Sequence, residues 1–210
     1  AAIFFFIPSL EIGGAEKVMV TIGKSLKKKG YSVELWPLLP SGPLAGETGE
    51  LKTKRFRSEP ERKKFLVILC TFLRLTFQLT KSERPVVLLS SVAGTNILCC
   101  LLKLVFSKKI TLLIREADTI SNYKHKLKKW LAQTTYQYPD KIIAVSAEIK
   151  DDLVHELFLN ADRVAIINNP VDFSNIVSLS QLNPPTPLLT HKKNVVCVGR
   201  LAHKKGIDTL

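Results

Sequence analysis

Two places in the sequence have the residue types and spacing that suit phosphate binding. Gly13 and Gly14 lie between an apolar run typical of a buried strand and a helical pattern. Backbone N–H groups at such a junction can approach an anion at the positive end of the helix. Further along, Arg200 and Lys205 lie five residues apart across a predicted strand-to-helix turn, where both cations can reach one phosphate group. The alternatives are a tight turn for the glycines and solvated surface charges for the cations.

Small polar side chains follow another predicted strand, at residues 86–90. Ser91 and Asn96 carry hydroxyl and amide groups, which are able to bind the hydroxyl groups of a substrate. Thr95 is equally well explained as the residue that caps the next helix.

Alternating segments of strand and helix must position these groups. Strands are predicted at 3–7, 31–35, 86–90, 110–114, 141–145, 164–167 and 194–198. Helices are predicted after Gly14, at 61–79, 95–106 and 123–136, and at 147–158 with Ser146 as its cap. Residues 37–60 are rich in proline and glycine and predict a long loop, with one short strand around 51–56. Repeated strand–helix–strand units predict an α/β fold, a Rossmann-like doubly wound parallel sheet with helices on both faces.

Composition shifts divide the chain into three parts. Residues 1–172 hold the repeated strand–helix units and form one predicted domain. A stretch rich in Ser, Asn and Pro at 173–193 predicts a linker. Residues 194–210 then provide the first strand and the start of a helix of a second domain, which is incomplete.

The charge balance limits the classes of partner. Thirty-one Lys and Arg residues against 18 Asp and Glu give a net charge of +13, which attracts phosphates, nucleic acid or an anionic membrane. Residues 41–140 hold 18 basic and 8 acidic side chains. No helix-turn-helix or RNP-like signature occurs in the sequence, which disfavours nucleic acid. The basic helices at 61–79 and 123–136 could instead lie on lipid headgroups, or their apolar residues could simply face the core.

Cysteine, histidine and hydropathy patterns exclude several other classes. Four cysteines without a CxxC pair, and four scattered histidines, predict a reducing, cytoplasmic compartment and no metal site. The longest apolar runs are far shorter than the roughly 18 to 20 residues that span a bilayer. Peripheral attachment to the cytoplasmic face of a membrane stays open.

Four segments, in order and spacing, resemble the retaining GT-B glycosyltransferases of family 4. They are Ile7-Pro8-Ser9-Leu10 with Gly13-Gly14-Ala15-Glu16-Lys17, then Ile142-Ile143-Ala144-Val145-Ser146, then Ile167-Asn168-Asn169-Pro170-Val171-Asp172, and finally Val198-Gly199-Arg200-Leu201 with Lys205-Gly206. The resemblance implies two Rossmann-like domains that face each other across a cleft. The first binds mostly the acceptor and the second mostly the nucleotide-sugar.

The resemblance also implies an activity. A glycosyl unit would move from a nucleotide-sugar, expected to be UDP-linked, to a lipid-linked or polysaccharide acceptor with retention of anomeric configuration. Arg200 and Lys205 would hold the donor diphosphate and stabilise the departing nucleotide, so no metal or other cofactor is expected. Gly13, Gly14 and Glu16 would form a loop that faces the cleft.

One departure from the family pattern concerns the loop after the strand at 110–114. Arg115 and Asp118 face the cleft in the resemblance and are acceptor-side candidates, together with Ser91 and Asn96. Many family members have a His in this loop, whereas Ala117 occupies that position here. No catalytic residue is therefore assigned.

A motif of the donor-binding domain is also missing from the sequence. Family members carry two Glu residues, eight apart, in the second domain, and the sequence ends before any such segment. We therefore expect no turnover from these 210 residues alone. The competing hypothesis is a non-catalytic basic α/β module that binds an anionic membrane surface.

Overall fold

The computed structural model describes residues 2–39, 42–54, 85–123 and 125–182, together with positions 73, 76, 77 and 193. The strands are β1 (Ile3–Ser9), β2 (Val33–Leu39), β3 (Lys52–Thr53), β4 (Val86–Ser91), β5 (Ile110–Glu116), β6 (Lys141–Ala144) and β7 (Val164–Ile166). The α-helices are α1 (Gly14–Lys28), α2 (Ala93–Val105), α3 (Lys126–Thr135), α4 (Ala147–Leu157) and α5 (Phe173–Ser180). Short 3-10 turns occupy Pro43–Ala45 and Ala161–Arg163.

The strands form one parallel sheet in the order β3-β2-β1-β4-β5-β6-β7. From β1 the chain builds outward through β2 and β3, and then continues on the other side of β1 through β4 to β7. This reversal next to β1 is the switch point at which open α/β sheets bind ligands. The predicted doubly wound parallel sheet is confirmed.

Both faces of the sheet are buried because successive side chains of a strand point to opposite sides. Phe6, Leu88 and Leu112 belong to the core beneath α2, α3 and α4. Phe5 and Leu89 belong to the core beneath α1. Burial on two sides explains why the strands have continuous apolar runs rather than alternating ones.

The first two strands end later than the sequence predicts, because each continues through a proline. β1 includes Pro8, and β2 includes Pro37, which pairs with Ile7. The outer neighbour β3 pairs only with Glu34 and Leu35 of β2 among the described residues. Beyond Leu35 none of the described residues pairs with the outer side of β2, and a strand position that is unpaired on that side tolerates a residue with no N–H to donate.

Two predicted helix starts need correction, and one predicted cap is confirmed. α2 begins at Ala93, so Thr95 is not its cap; the Thr95 hydroxyl donates to the carbonyls of Ser91 and Val92 instead. α3 begins at Lys126 rather than at residue 123. Ser146 caps α4, since its hydroxyl oxygen accepts from the backbone N–H of Ile149 at 3.4 Å.

Several predictions concern residues outside the described part of the chain. These are most of the helix at 61–79, the strand at 194–198, and both Arg200 and Lys205. The chain divides into two compact units, Ala1–Pro170 and Val171–Leu210. In the second unit the Phe173–Ser180 segment is helical, which the predicted linker at 173–193 did not anticipate.

Candidate functional site

The carboxyl ends of all the strands meet at one edge of the sheet, because every strand pair is parallel. This edge carries the predicted candidates of the first domain. Gly13 and Gly14 follow β1, Ser91 ends β4, and Arg115 lies one residue before the end of β5. The structure therefore places at one edge of the sheet residues that lie about 100 positions apart in the sequence.

Gly13 and Gly14 start α1 at the central strand of the sheet. Gly13 is the N-cap residue, with extended backbone and no side-chain cap. A Cβ atom at Gly13 would lie 2.0 Å from Oε2 of Glu16, so the Glu16 carboxylate folds back over the first turn. A Cβ atom at Gly14 would meet nothing within 4 Å. The space in front of Gly14 is open, whereas Glu16 already places a negative charge at the positive end of the helix.

The turn from β4 into α2 has unusual backbone geometry. Val92 is the N-cap residue of α2 and has φ 78 and ψ 131. A β-branched residue at positive φ is strained, at a cost on the order of 1–3 kcal/mol. The hydrogen bond from the Asn96 N–H to the Val92 carbonyl, at 2.9 Å, helps to hold the turn in this form. The strain lies beside Ser91, at the edge where the candidate residues meet.

The guanidinium of Arg115 joins the ends of three segments. Its Nη1 donates to Oγ of Ser91 at 2.9 Å, and its Nη2 donates to Oδ1 of Asn169, in the turn after β7. Ser91 and Arg115 are direct partners in the pairing of β4 with β5. We refer to Ser91, Arg115 and Asn169 as the Arg115 cluster.

The Arg115 cluster contains a buried positive charge. Arg115 is only 3% exposed. Burial lowers the pKa of the guanidinium, while the charge of Glu116 acts in the opposite direction. Among the described residues no carboxylate lies within ion-pairing distance of Arg115. Its two hydrogen-bond partners are both neutral.

The next residue, Glu116, forms a second polar cluster on the other face of the sheet. Its Oε2 accepts from the hydroxyl of Tyr136 at 2.6 Å and from Nδ2 of Asn96 at 3.1 Å. Asn96 also donates to the carbonyl of Arg115 at 3.0 Å and accepts from the Ser90 hydroxyl at 2.6 Å. We refer to Ser90, Asn96, Glu116 and Tyr136 as the Glu116 cluster.

Burial dominates the electrostatics of the Glu116 cluster. Glu116 is 2% exposed, and burial raises the pKa of its carboxyl, although hydrogen bonds from Tyr136 and Asn96 and the charge of Lys128 act against this shift. Burial and the charge of Glu116 also raise the pKa of Tyr136. The Tyr123 hydroxyl is buried with no hydrogen-bond partner within the described ranges, and Lys128 Nζ lies 3.9 Å from the centroid of the Tyr123 ring.

The structure separates the acceptor-side candidates into three environments. Asn96 is fully buried and lies inside the Glu116 cluster. Ser91 and Arg115 lie on the opposite face, in the Arg115 cluster. Asp118 and Ala117 are exposed in the loop after β5.

Sequence reasoning missed Glu116, Tyr136 and Asn169 as members of these clusters. A signal for Glu116 was available. Ile110, Leu112 and Ile114 of β5 all face the core beneath α2, so alternation along the strand places Glu116 on that same buried face. Asn169 stands in one of the segments that carry the resemblance, but its contact with Arg115 could not be predicted, because that contact depends on the folded order of β5, β6 and β7.

The described residues provide neither a metal site nor a membrane span. No group of three or more His, Cys, Asp or Glu side chains in the described ranges is arranged to hold a metal ion. None of the helices within the same ranges combines the length and the apolar character that crossing a bilayer requires.

A curated relative resembles this chain over almost the chain's whole length. The chain is 27% identical over 208 residues to the GalNAc-alpha-(1->4)-GalNAc-alpha-(1->3)-diNAcBac-PP-undecaprenol alpha-1,4-N-acetyl-D-galactosaminyltransferase of Campylobacter jejuni. The match covers 97% of this chain and 54% of that enzyme. The chain therefore spans about half the length of the curated relative that it matches.

Solved structures share the fold at low sequence identity. The lipopolysaccharide outer core galactosyltransferase WaaB, in its apo form, gives a TM-score of 0.63 at 16% identity, over 81% of this chain and 46% of that one. Alr3699/HepE of Anabaena, in complex with UDP, gives 0.62 at 15% identity, over 86% and 49%. A glycosyltransferase from Rickettsia africae gives 0.60 at 15% identity, over 87% and 46%. At these identities the likeness concerns the fold alone.

The family assignment rests on sequence. Residues 12–175 match the family model described as Glycosyltransferase Family 4. The matched region includes the Gly13-Gly14 turn, both polar clusters and the sheet from β2 to β7. The observed parallel sheet is the fold that the resemblance predicts, and it agrees with this family match. The chain belongs to Glycosyltransferase Family 4.

Proposed function

We propose that this chain is the acceptor-binding part of a retaining glycosyltransferase, which transfers a sugar from a UDP-linked donor to a lipid-linked or polysaccharide acceptor. The observation that carries the proposal is the family match over residues 12–175. The relative from Campylobacter jejuni is named for an acceptor linked through a diphosphate to undecaprenol, which supports a lipid-linked acceptor. The Anabaena structure contains UDP, which supports a UDP-linked donor.

Cations and backbone dipoles would supply the charge stabilisation of the reaction. When the bond between the sugar and the donor phosphate breaks, negative charge develops on the departing nucleotide diphosphate. Arg200 and Lys205 can stabilise that charge if they converge on the diphosphate, as the resemblance implies. No residue of this chain is proposed as a nucleophile or general base.

Turnover by the full-length protein tests the proposal. UDP-sugars would be supplied singly with an undecaprenyl-diphosphate-linked oligosaccharide, and the product would be examined by mass spectrometry and by the anomeric coupling constants in its NMR spectrum. We expect one donor to give a product with the anomeric configuration of the donor. Inverted configuration, or the absence of transfer with every donor, would contradict the proposal.

The donor-side cations offer a more specific test in the full-length protein. Arg200→Ala or Lys205→Ala should lower kcat/KM about 100-fold, which corresponds to about 2 to 4 kcal/mol of transition-state stabilisation. Lys204→Ala removes a neighbouring charge and serves as the matched control. Equal, small effects of all three substitutions would leave Arg200 and Lys205 as ordinary surface charges.

We also propose that the first unit docks on an anionic membrane through α3. Leu127 is 67% exposed and Trp130 is 57% exposed, and Lys126 lies on the same helix. Lys129 is less available, because it forms an ion pair with Glu156 on α4. An exposed tryptophan beside lysines is a combination that suits the interface between headgroups and acyl chains.

Liposome co-sedimentation tests the docking and separates it from catalysis. Binding should require anionic lipid and should fall as salt rises from about 50 to 500 mM. It should weaken when Lys124, Lys126, Lys128 and Lys129 are changed to Gln. Lys17→Gln, on α1, is the control.

Equal pelleting with neutral and anionic vesicles would refute docking, and the glycosyltransferase proposal would stand. Anionic binding without any sugar transfer would favour the non-catalytic module.

A further inference from the structure

We propose that the Arg115 cluster binds a phosphate group of a substrate, with Arg115 as the cation and with Ser91 and Asn169 as flanking hydrogen-bond donors. The inference rests on the proposed function, because that reaction supplies substrates that carry phosphate. It adds a specific binding site in the first unit, on residues of β4, β5 and the turn after β7.

The direction of the hydrogen bonds leaves donors unused. A guanidinium can only donate, so the oxygens of Ser91 and Asn169 must be the acceptors in both contacts. This fixes the amide of Asn169 with its Nδ2 group turned away from Arg115, and it leaves the Ser91 hydroxyl hydrogen free to donate. In the described part of the chain neither group has an acceptor. The cluster therefore presents a cation and several N–H and O–H donors, which is the complement of a phosphate group.

The cluster also has no anion of its own. Burial of a guanidinium is costly when its hydrogen-bond partners are neutral and no anion balances its charge. The nearest candidate in sequence, Glu116, points to the other face of the sheet and accepts from Tyr136 and Asn96. Asp118 lies in the exposed loop after β5 and makes no ion pair with Arg115. A bound phosphate would supply the missing negative charge.

The site is held in place, and Asn169 is its exposed member, because Ser91 and Arg115 are buried. The Asn168 amide donates to the carbonyl of Val145 at 3.1 Å, and the Ile167 N–H donates to the carbonyl of Ala144 at 2.9 Å. These bonds fasten the turn that carries Asn169 to the end of β6. Asn169 itself is exposed, so a ligand can reach its free amide group. Binding therefore requires little reorganisation of the protein.

Either substrate could provide the phosphate. A UDP-sugar and an isoprenoid-diphosphate-linked acceptor both carry a diphosphate, and the Arg115 cluster recognises the chemistry that they share. Separate titrations distinguish the two sources. UDP represents the donor, farnesyl diphosphate represents the lipid-linked acceptor, and inorganic pyrophosphate represents the diphosphate alone.

The sharpest variant is Asn169→Asp in the full-length protein. A carboxylate at this position would pair with Arg115, which should preserve or raise the melting temperature, and it would repel a phosphate. A purely structural cluster would tolerate the change without loss of binding. Asn160→Asp is the matched control, because Asn160 is an exposed asparagine that precedes β7, at the opposite edge of the sheet. Arg115→Gln removes the cation and gives an independent second variant.

Isothermal titration of the variants decides the proposal. Asn169→Asp and Arg115→Gln should weaken pyrophosphate, and either UDP or farnesyl diphosphate, by about 10- to 100-fold, as loss of a hydrogen bond to a charged group does. Asn160→Asp should bind as the wild type does. If one variant does not fold, the other still gives the result, and Ser91→Ala should weaken the same probe less.

Two outcomes would overturn the phosphate site. One is unchanged affinity of the folded variants for all three probes, and the other is a wild-type protein that binds none of them. Normal sugar transfer by Asn169→Asp, with unchanged KM for donor and acceptor, would remove this site and leave the proposed function intact. Pyrophosphate binding that depends on Arg115, in a protein without transfer activity, would retain the site and remove the proposed function.

Discussion

Arg115 and Glu116 are neighbours on β5, yet they belong to two polar clusters of opposite kind. Glu116 is a buried anion whose carboxylate accepts from Tyr136 and Asn96, inside a cluster with no exposed member. Arg115 is a buried cation bonded to two neutral oxygens, one of which belongs to the exposed Asn169. The strand alternation that separates them places the two clusters on opposite faces of the sheet, at the same carboxyl edge.

The contrast indicates how to distinguish a structural polar group from a binding one at the same edge. In the Glu116 cluster each hydrogen bond joins two groups of the protein, so loss of one partner leaves the other buried and unsatisfied. In the Arg115 cluster the exposed Asn169 has an unused donor, whereas Ser91 and Arg115 are buried. Substitutions in the Glu116 cluster should therefore reduce stability, and substitutions in the Arg115 cluster should reduce binding.

The largest effect is expected for Glu116→Ala. Removal of the carboxylate leaves the Tyr136 hydroxyl and one Asn96 donor without their shared acceptor, and it also opens a cavity. The free energy of unfolding should fall by about 2 to 4 kcal/mol. Urea denaturation followed by circular dichroism measures it. A loss of less than about 0.5 kcal/mol would show that the cluster is not a structural unit.

Tyr136→Phe should have a smaller effect of the same sign. It removes one hydrogen bond to Glu116 while keeping the buried ring. The expected loss is about 1 to 2 kcal/mol. A double-mutant cycle with Glu116→Ala measures the coupling of the two groups. Strict additivity of the two losses would contradict the direct bond.

Glu116→Gln separates the charge of Glu116 from its hydrogen bonds, because the amide oxygen can still accept from Tyr136. Burial raises the folded pKa of Glu116 above its ordinary value of 4.5. At pH values between 4.5 and the raised folded pKa, the folded protein binds more protons than the unfolded chain, so the free energy of unfolding falls as pH rises. The stability of the variant relative to the wild type should therefore increase with pH above 4.5 and stay constant below it. Denaturation curves across this range test the slope; a constant difference would contradict a raised pKa.

The smallest effect on stability is expected for Ser91→Ala. The substitution removes one neutral partner of Arg115 and one hydroxyl, with almost no change in volume. Unfolding free energy should change by less than about 1 kcal/mol. The comparison with Tyr136→Phe, which also deletes a single hydroxyl, is made under the same conditions. A larger loss for Ser91→Ala than for Tyr136→Phe would reverse the assignment of the two clusters.

The sequence predicted the sheet because period and composition determine it. Strands that are apolar on both faces, separated by helical patterns, left few alternatives to a parallel doubly wound sheet. The predicted ends of the first two strands came too early, before Pro8 and Pro37, since tolerance of a proline depends on which side of a strand is paired. That information exists only once the order of the strands is known.

The candidate site was predicted in part. Ser91 and Arg115 follow from their positions at strand ends, and the structure brings them into contact. Asn96 was predicted as a small polar residue that follows the strand, but it lies on the buried side of α2 and is bonded to Glu116. The role of Asn169 could not be predicted, because its contact with Arg115 spans 54 residues and two strand pairings.

The central place of β1 has a consequence for the order in which the chain folds. β1 is paired with β2 on one side and with β4 on the other. About 50 residues separate β2 from β4, which a ribosome takes roughly 2 to 10 s to synthesise. During that time one edge of the strand that contains Phe4, Phe5 and Phe6 has no native partner. The nascent chain therefore carries an apolar strand edge that is prone to intermolecular pairing, and folding yield depends on how soon β4 reaches it.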